Sequence, residues 1–344
     1  MSKYNIGVDV GGTTVKIGVF DREKAAIDIE TKTSIPTRTE NDGVHILPDI
    51  AEAIAVLMEE YGAEMDDVAR IGIGVPGPVI TDRKTGQMFV NKCVNLGWSS
   101  MIDVPQELSE LTGVQNISVI NDANAAALGE VIAGSCSDKT VVVVTLGTGI
   151  GGGIVQSGRI MPGAFGAAGE IGHIKIQPQH PLIKNLSTLK PFADLEYYVS
   201  ATGIARTAKA ALQILPDQSI LRDDLNAENS LTDKDKTSED TGNSLNWPDA
   251  KAVMDAAKKG DALALKLTDF FFDTLGIGLA SVAGVVDPDM FIIGGGVAGA
   301  GLFLTDGLQA SYRKYVFHAS SETEFRLAVL GNDAGMIGAA CSGN

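Results

Sequence analysis

Asp122 stands in Asn121-Asp122-Ala123-Asn124, where the apolar stretch 114–120 gives way to the Ala-rich run 125–131. A carboxylate at a strand-to-helix junction can accept the proton of a hydroxyl while that oxygen attacks a phosphoryl group. Asn121 beside it offers both a donor and an acceptor, which suits a vicinal diol. Taken alone, the position reads first as a cap for the helix 125–131, because Asn and Asp side chains commonly satisfy the first N–H groups of a helix. Two similar Gly/Thr turns elsewhere in the chain strengthen the chemical reading.

The first turn is Gly11-Gly12-Thr13-Thr14, between apolar strands at 6–10 and 15–19, and the second is Gly147-Thr148-Gly149, between strands at 141–144 and 150–155. Glycines let backbone N–H groups point into a concave turn that favours anions, and threonine hydroxyls add short neutral donors. Two such turns can grip one polyphosphate in a cleft between two lobes. With 40 glycines in 344 residues, either turn alone also reads as an ordinary hairpin. Neither fits a P-loop, which needs Gly-Lys-Ser/Thr, or a dinucleotide fingerprint, which needs strand, Gly-x-Gly-x-x-Gly and a long helix.

A third cluster, Gly294-Gly295-Gly296, follows the strand 290–293 and opens into a helical segment at 297–308. It allows close backbone approach to a flat ring or ribose, or else a tight helix–strand packing contact. In Glu170-Ile171-Gly172-His173 a carboxylate and an imidazole lie three residues apart. They can bind adjacent sugar hydroxyls, or form a structural hydrogen bond. Glu196, in Asp194-Leu195-Glu196-Tyr197-Tyr198, says less on its own.

The elements that must position these residues follow from periodicity and breakers. After the first hairpin come a polar strand near 28–34, an amphipathic helix at 48–61, and a strand at 71–75 ending in a turn fixed by Pro76 and Pro78. The stretch 215–246 is acidic and poor in apolar residues, which predicts a surface excursion, because little burial offsets its ordering entropy. Helices resume at 248–259 and 262–285; a last strand at 325–330 leads into small residues at 331–340, predicting a tightly packed terminal helix near a hinge. The fold class is α/β, with a smaller lobe from 1–120 and 333–344 and a larger lobe from 121–332.

A net charge of −16 disfavours a phosphate-backbone partner such as nucleic acid. The apolar region 270–286 carries Asp273 and several glycines, so it reads as a buried helix rather than a membrane span. Cys93, Cys136 and Cys341 are widely separated, which predicts reduced thiols with neither a disulfide framework nor a metal site. No signal segment is expected at the N-terminus. A cytoplasmic protein without a membrane partner is the expectation.

Together these motifs resemble the ROK family of bacterial sugar kinases, within the actin-like ATPase superfamily. Asp9-Val10-Gly11-Gly12-Thr13-Thr14 is similar to its first phosphate motif, Leu146 to Gly153 to its second, and Gly294-Gly295-Gly296 to its adenosine motif. Asn121 to Ala126 and Gly169 to His173 resemble its catalytic and sugar-binding signatures. The resemblance implies a two-lobed actin-like (ribonuclease H-like) fold with a central cleft, and ATP-dependent phosphorylation of a hexose, glucose first. It implies Asp122 as general base, with Asn121, Asp122, Glu170, His173 and Glu196 lining the sugar pocket and Asn95 and Gly77 at its edge. Glu196 gains support because the stretch 195–204 looks like the one that carries a second sugar-binding Glu in the glucokinase branch. Asp9 would hold Mg²⁺ through water, and Gly11, Gly12, Thr13, Thr14, Lys16, Gly147, Thr148, Gly149, Gly294, Gly295 and Gly296 would bind ATP. A homodimer is implied.

One departure stands out. Many family members carry three cysteines just before that Leu-Glu, which bind structural zinc together with the motif histidine. Here the matching positions are Ser187, Leu189 and Asp194, so no zinc is expected. The loop 177–193 would then be held by packing through Leu182, Ile183, Leu186, Leu189 and Phe192, leaving His173 to the sugar. The rival substrates are fructose, allose, N-acetylmannosamine and N-acetylglucosamine. The rival class is a non-catalytic sugar-sensing protein; the family's repressors carry a DNA-binding segment ahead of the first phosphate motif, and here eight residues precede Asp9.

Overall fold

The computed structural model describes residues 2–82, 84–222 and 247–343. The chain divides into two compact units, one of Met1–Val143, Gly152–Gly169 and Ala328–Asn344, the other of Val144–Gly151 and Glu170–Leu327. The first unit therefore takes in 121–143, 152–169 and 328–332, where the sequence places a boundary at 120 and another at 333. Most of the acidic stretch, 223–246, lies outside the described residues.

In the first unit, β1 (Tyr4–Val10), β2 (Thr14–Asp21) and β3 (Ile29–Pro36) form an antiparallel meander. β4 (Val68–Val75) pairs parallel to β1, the short β5 (Val79–Thr81) and β6 (Met88–Val90) form a separate hairpin, and β7 (Ile117–Asn121) pairs parallel to β4. The sheet order is β3-β2-β1-β4-β7. One face carries Ile6, Val8 and Val10 into a core with helix α1 (Ile46–Tyr61), whose Ile46, Leu47, Ile50, Ile54, Leu57 and Met58 recur at helical spacing. Helix α2 (Val104–Thr112) joins this face, capped by Asp103, which accepts from the Gln106 N–H.

On the opposite face Gly18, Gly7 and Gly72 are neighbours across three strands. A Cβ at Gly7 would lie 2.1 Å from the Met336 carbonyl oxygen, and one at Gly72 would lie 1.7 Å from that of Ala339. The glycine row thus lets the C-terminal helix lie directly on the sheet backbone. That helix also meets α3 (Asp122–Ala133), where a Cβ on Gly338 would lie 1.7 Å from the Ala125 carbonyl oxygen. The expectation of tight packing by small residues at 331–340 holds. The catalytic candidate's helix is thereby packed closely against the chain's last helix.

The second sheet runs β10-β9-β8-β13-β14, the same third-second-first-fourth-fifth order as the first. Its strands are β8 (Thr140–Leu146), β9 (Ile150–Gln156), β10 (Arg159–Ile160), β13 (Met290–Gly294) and β14 (Glu324–Leu327), with β11 (Lys175–Ile176) and β12 (Ala193–Asp194) forming a small pair of their own. Helices α4 (Pro181–Asn185), α5 (Leu195–Val199), α6 (Ala201–Ile214), α7 (Ala250–Lys258), α8 (Ala262–Val286) and α9 (Leu302–Tyr315) belong to the second unit, and α10 (Ala334–Cys341) is the terminal helix of the first. α8 is long and apolar enough to cross a membrane by length and composition. It buries Leu263, Leu267, Phe270, Phe271, Leu275 and Leu279, and its Gly278 rests on the Leu195 side chain.

Several details differ from the sequence reading. α3 starts at Asp122 instead of 125, because the Asn121 side chain caps it. The helix expected at 297–308 is a 3₁₀ turn, Gly296–Ala300, then a break at Gly301 (φ +70°) before α9. The strand expected to reach 330 stops at Leu327, since the buried Glu130 carboxylate takes the N–H groups of Val329 and Leu330 at 2.8 and 2.9 Å. The start of the acidic stretch is anchored: Asp261 accepts from Ser219 Oγ and the Ile220 N–H, and Leu221 is buried.

Candidate active site

In the first unit, β7 delivers Asn121 and Asp122 to the N-terminus of α3. Asn121 Oδ1 accepts from the Asn124 N–H at 3.1 Å, while its Nδ2 donates to the Gly77 carbonyl and to Asp122 Oδ1, each at 3.1 Å. Asp122 Oδ1 also accepts from the Ala123 N–H at 2.8 Å. Asn121 therefore supplies the cap, and Asp122 is not needed for that task. Its carboxylate sits in the first turn, where the helix dipole favours negative charge. Gly77, expected at the edge of the pocket, is bound directly to this pair.

The first Gly/Thr turn closes with the Gly11 N–H donating to the Thr14 carbonyl at 2.9 Å, and Thr37 Oγ1 ties down the Gly11 carbonyl at 2.7 Å. Gly12, Thr13 and Thr14 are exposed, and Gly12 lies beside the Asn95 backbone. Asp9 precedes the turn on β1, with Lys16 Nζ 3.9 Å from its carboxylate. Burial raises the Asp9 pKa above the usual carboxylate value, and Lys16 opposes that shift. Lys16 Nζ also donates to the Asn332 carbonyl at 2.7 Å. A part-buried carboxylate penalised for its own charge is a hard oxygen donor that fits a hydrated Mg²⁺.

The second turn belongs to the other unit. Gly147 N–H donates to the Gly149 carbonyl at 3.0 Å, the Ala201 N–H to the Gly147 carbonyl at 2.8 Å, and Thr202 Oγ1 to the Thr148 carbonyl at 2.9 Å. The start of α6 thus holds the turn. Gly295 (φ +83°) packs on Leu146, where a Cβ would come within 2.4 Å of the carbonyl oxygen. Gly294 is buried in β13, whereas Gly296 lines a cavity of about 550 Å³ with Thr202, Ala205, Ala250, Met254 and Val297. Of the three glycines singled out from the sequence only Gly296 lines this cavity, and the walls from α6 and α7 are ordinary helical residues that the motifs miss.

Glu170, His173 and Glu196 also fall in the second unit. Glu170 precedes a 3₁₀ turn, Ile171–His173, and both Glu170 and His173 are exposed. Pairing of β11 with β12 brings this segment to the start of α5, where Glu196 Oε2 accepts from the Ile150 N–H at 3.3 Å. Cβ atoms on Gly149 and Gly172 would lie 2.9 and 3.4 Å from that oxygen, so Glu196 sits between the second turn and the Glu170–His173 segment.

The intervening loop is closed by packing. Leu182, Leu186 and Leu189 are buried, and Tyr198 Oη donates to the Lys190 carbonyl at 2.7 Å. Phe192, expected among the packing residues, is 58% exposed, a correction; the leucines and Tyr198 fill the space instead. The residues at the zinc positions do not suit the metal. Leu189 has no donor atom, and Asp194, 4.0 Å from His173 Nδ1, is paired with Lys175.

Comparison with known proteins matches residues 5–342 to the ROK family. A glucokinase of Halalkalibacterium halodurans is 36% identical over 338 residues, covering 98% of this chain and 93% of the relative. An N-acetylgalactosamine kinase of Shewanella sp. is 28% identical, covering 98% and 96%. The crystal structure of a ROK family glucokinase from Streptomyces griseus, in complex with glucose and AMPPNP, superposes with a TM-score of 0.68 at 30% identity, covering 98% of each chain.

Proposed function

This chain belongs to the ROK family and is a sugar kinase of actin-like ATPase fold, and we propose that it phosphorylates glucose on the 6-hydroxyl with ATP, Asp122 acting as general base. The carrying observation is the Asn121–Asp122 pair at the head of α3, where a separate residue caps the helix and the carboxylate is held by Asn121 and the Ala123 N–H. A carboxylate so oriented can take a hydroxyl proton as that oxygen attacks the γ-phosphoryl.

In this reading Glu170, His173, Glu196 and Asn121 bind the sugar, with Asn95 and Gly77 at its edge. The exposed N–H and hydroxyl groups of Gly12, Thr13, Thr14 and Thr148 receive phosphate oxygens. Asp9 would hold Mg²⁺ through water, and such an ion would supply positive charge to the phosphates. The cavity beside Gly296 takes the adenine. The protein works as a cytoplasmic homodimer. A second reading, a kinase of N-acetylated amino sugars, is favoured by the match to the Shewanella N-acetylgalactosamine kinase over 98% of this chain.

The test is a coupled ADP-release assay with Mg·ATP against glucose, fructose, mannose, allose, N-acetylglucosamine, N-acetylgalactosamine and N-acetylmannosamine. Glucose is expected to dominate kcat/KM, and Asp122→Asn to lower kcat at least about 10²-fold. Dominance of an acetylated sugar would replace glucose by the second reading. Near-normal turnover by a folded Asp122→Asn protein would remove Asp122 from the role of base.

A further inference from the structure

Cys93 is 2% exposed and lies under the turn that contacts the catalytic pair. Its Sγ donates a hydrogen bond to the Pro76 carbonyl. The next carbonyl along the chain, that of Gly77, accepts from Asn121 Nδ2, and the same Nδ2 reaches Asp122 Oδ1. Between the two carbonyls stands Gly77 at φ +153°, a backbone conformation that side-chain-bearing residues rarely adopt. A Cβ there would lie 3.4 Å from the Cys93 sulfur, so the thiol is seated against the glycine itself.

We propose that Cys93 is a positioning residue for the phosphoryl transfer: its thiol fixes the Pro76–Gly77 peptide, the Gly77 carbonyl fixes Asn121, and Asn121 fixes the Asp122 carboxylate. The proposal rests on the reading of Asp122 as the base. It explains why a donor is needed at this place. Glycine is the residue with the widest backbone freedom, and a base whose orientation depends on a glycine carbonyl needs that carbonyl held from the other side. The loop carrying Cys93 is itself held: its carbonyl accepts from the N–H groups of Leu96 and Trp98 at 3.1 and 3.0 Å, and the Asn91 N–H donates to Pro78 at 3.1 Å. Burial pushes the Cys93 pKa above its ordinary value, against backbone N–H groups that pull the other way, so the sulfur keeps the proton it donates.

The test compares wild type with Cys93→Ser, Cys93→Val, Cys93→Ala and the pair Cys93→Val/Asp122→Asn, in the ADP-release assay with thermal melts alongside. Valine fills the space without a donor, alanine removes both, and serine restores an O–H donor. The expected result is a loss of about tenfold in kcat for the valine and alanine variants, with KM for ATP unchanged, since small displacements of a reacting group carry losses of this order. Cys93→Ser is expected to stay within threefold of wild type. In the Asp122→Asn background, Cys93→Val should cost nothing further, because there is no base left to misplace.

A valine variant with wild-type kcat, or one that loses the same factor in both backgrounds, would overturn the proposal. Rescue by serine together with loss of additivity would support it. A wild type that turns over no sugar, or an active Asp122→Asn, sinks the base assignment and the proposal with it. An active wild type with a dead Asp122→Asn and an indifferent Cys93→Val sinks the proposal alone.

Discussion

The turns Gly11–Thr14 and Gly147–Gly149 are alike in composition and each closes on a backbone N–H to carbonyl bond, and they differ in where their carboxylate comes from. The first carries its own: Asp9 lies on the strand that enters it and stands against α10, where a Cβ on Gly335 would lie 2.8 Å from Asp9 Cγ. The second has no acidic residue on either strand and borrows Glu196 from α5, which accepts from the Ile150 N–H just past the turn. The two carboxylates therefore stand in different surroundings. A strand-borne carboxylate pressed against a helix end and penalised by burial suits a cation, while one carried in from a helix beside His173's segment suits a sugar hydroxyl.

The sharpest way to break this contrast is Asp9→Asn. Activity is expected to fall about 10²–10³-fold, the scale for removing one preorganised electrostatic group. Stability should move the opposite way. The Asp9 pKa is raised in the folded protein, so its contribution to stability is fully present below the unfolded pKa and is lost as pH rises through the folded one. Asparagine escapes that loss. Thermal melts should show a higher Tm than wild type at pH 7 and a gap that closes towards pH 4; a lower Tm at pH 7 would contradict the burial argument.

Gly335→Ala tests the contact from the other side. The added methyl meets the Asp9 carboxylate, so overpacking of about 1–3 kcal/mol is expected in denaturant melts, together with a fall in kcat. Gly284→Ala on α8, where a Cβ meets nothing within 4 Å, is the control. At the second turn, Glu196→Gln removes a charged acceptor of a kind worth about 1.5–3 kcal/mol. The sugar KM should rise at least about tenfold while the KM for ATP changes by less than about twofold. Equal change in both would mean that Glu196 holds the turn and not the sugar. The smallest effect belongs to Phe192→Ala, on the loop leading to Glu196. Its ring is exposed, so stability should stay within about 0.5 kcal/mol of wild type in urea melts.

The motifs were legible because their chemistry depends on local sequence. Glycine and threonine at fixed offsets announce the turns, and Asn121-Asp122 announces a strand-to-helix junction whatever surrounds it. What the helical walls of the cavity beside Gly296 contribute was not legible, since Thr202, Ala205 and Met254 carry no mark that separates them from other helix residues. The expectation for Phe192 failed for a related reason. Apolarity shows that a side chain gains from burial, but which of five apolar residues fill a loop's interior depends on how that loop turns over the helices beneath it.

Sequence by itself determined the α/β class, the three glycine turns, the strand-to-helix junction at Asn121-Asp122 and the lack of cysteine at Ser187, Leu189 and Asp194, because each is a property of residue type and spacing along one stretch of chain. Tertiary structure decided which residue caps α3, which strands share a sheet, that Glu196 serves the second turn, and that Gly7, Gly18 and Gly72 form one row beneath the last helix. Those facts join residues far apart along the chain. They are set by register and close packing, where a difference of one methyl group decides whether two backbones can touch.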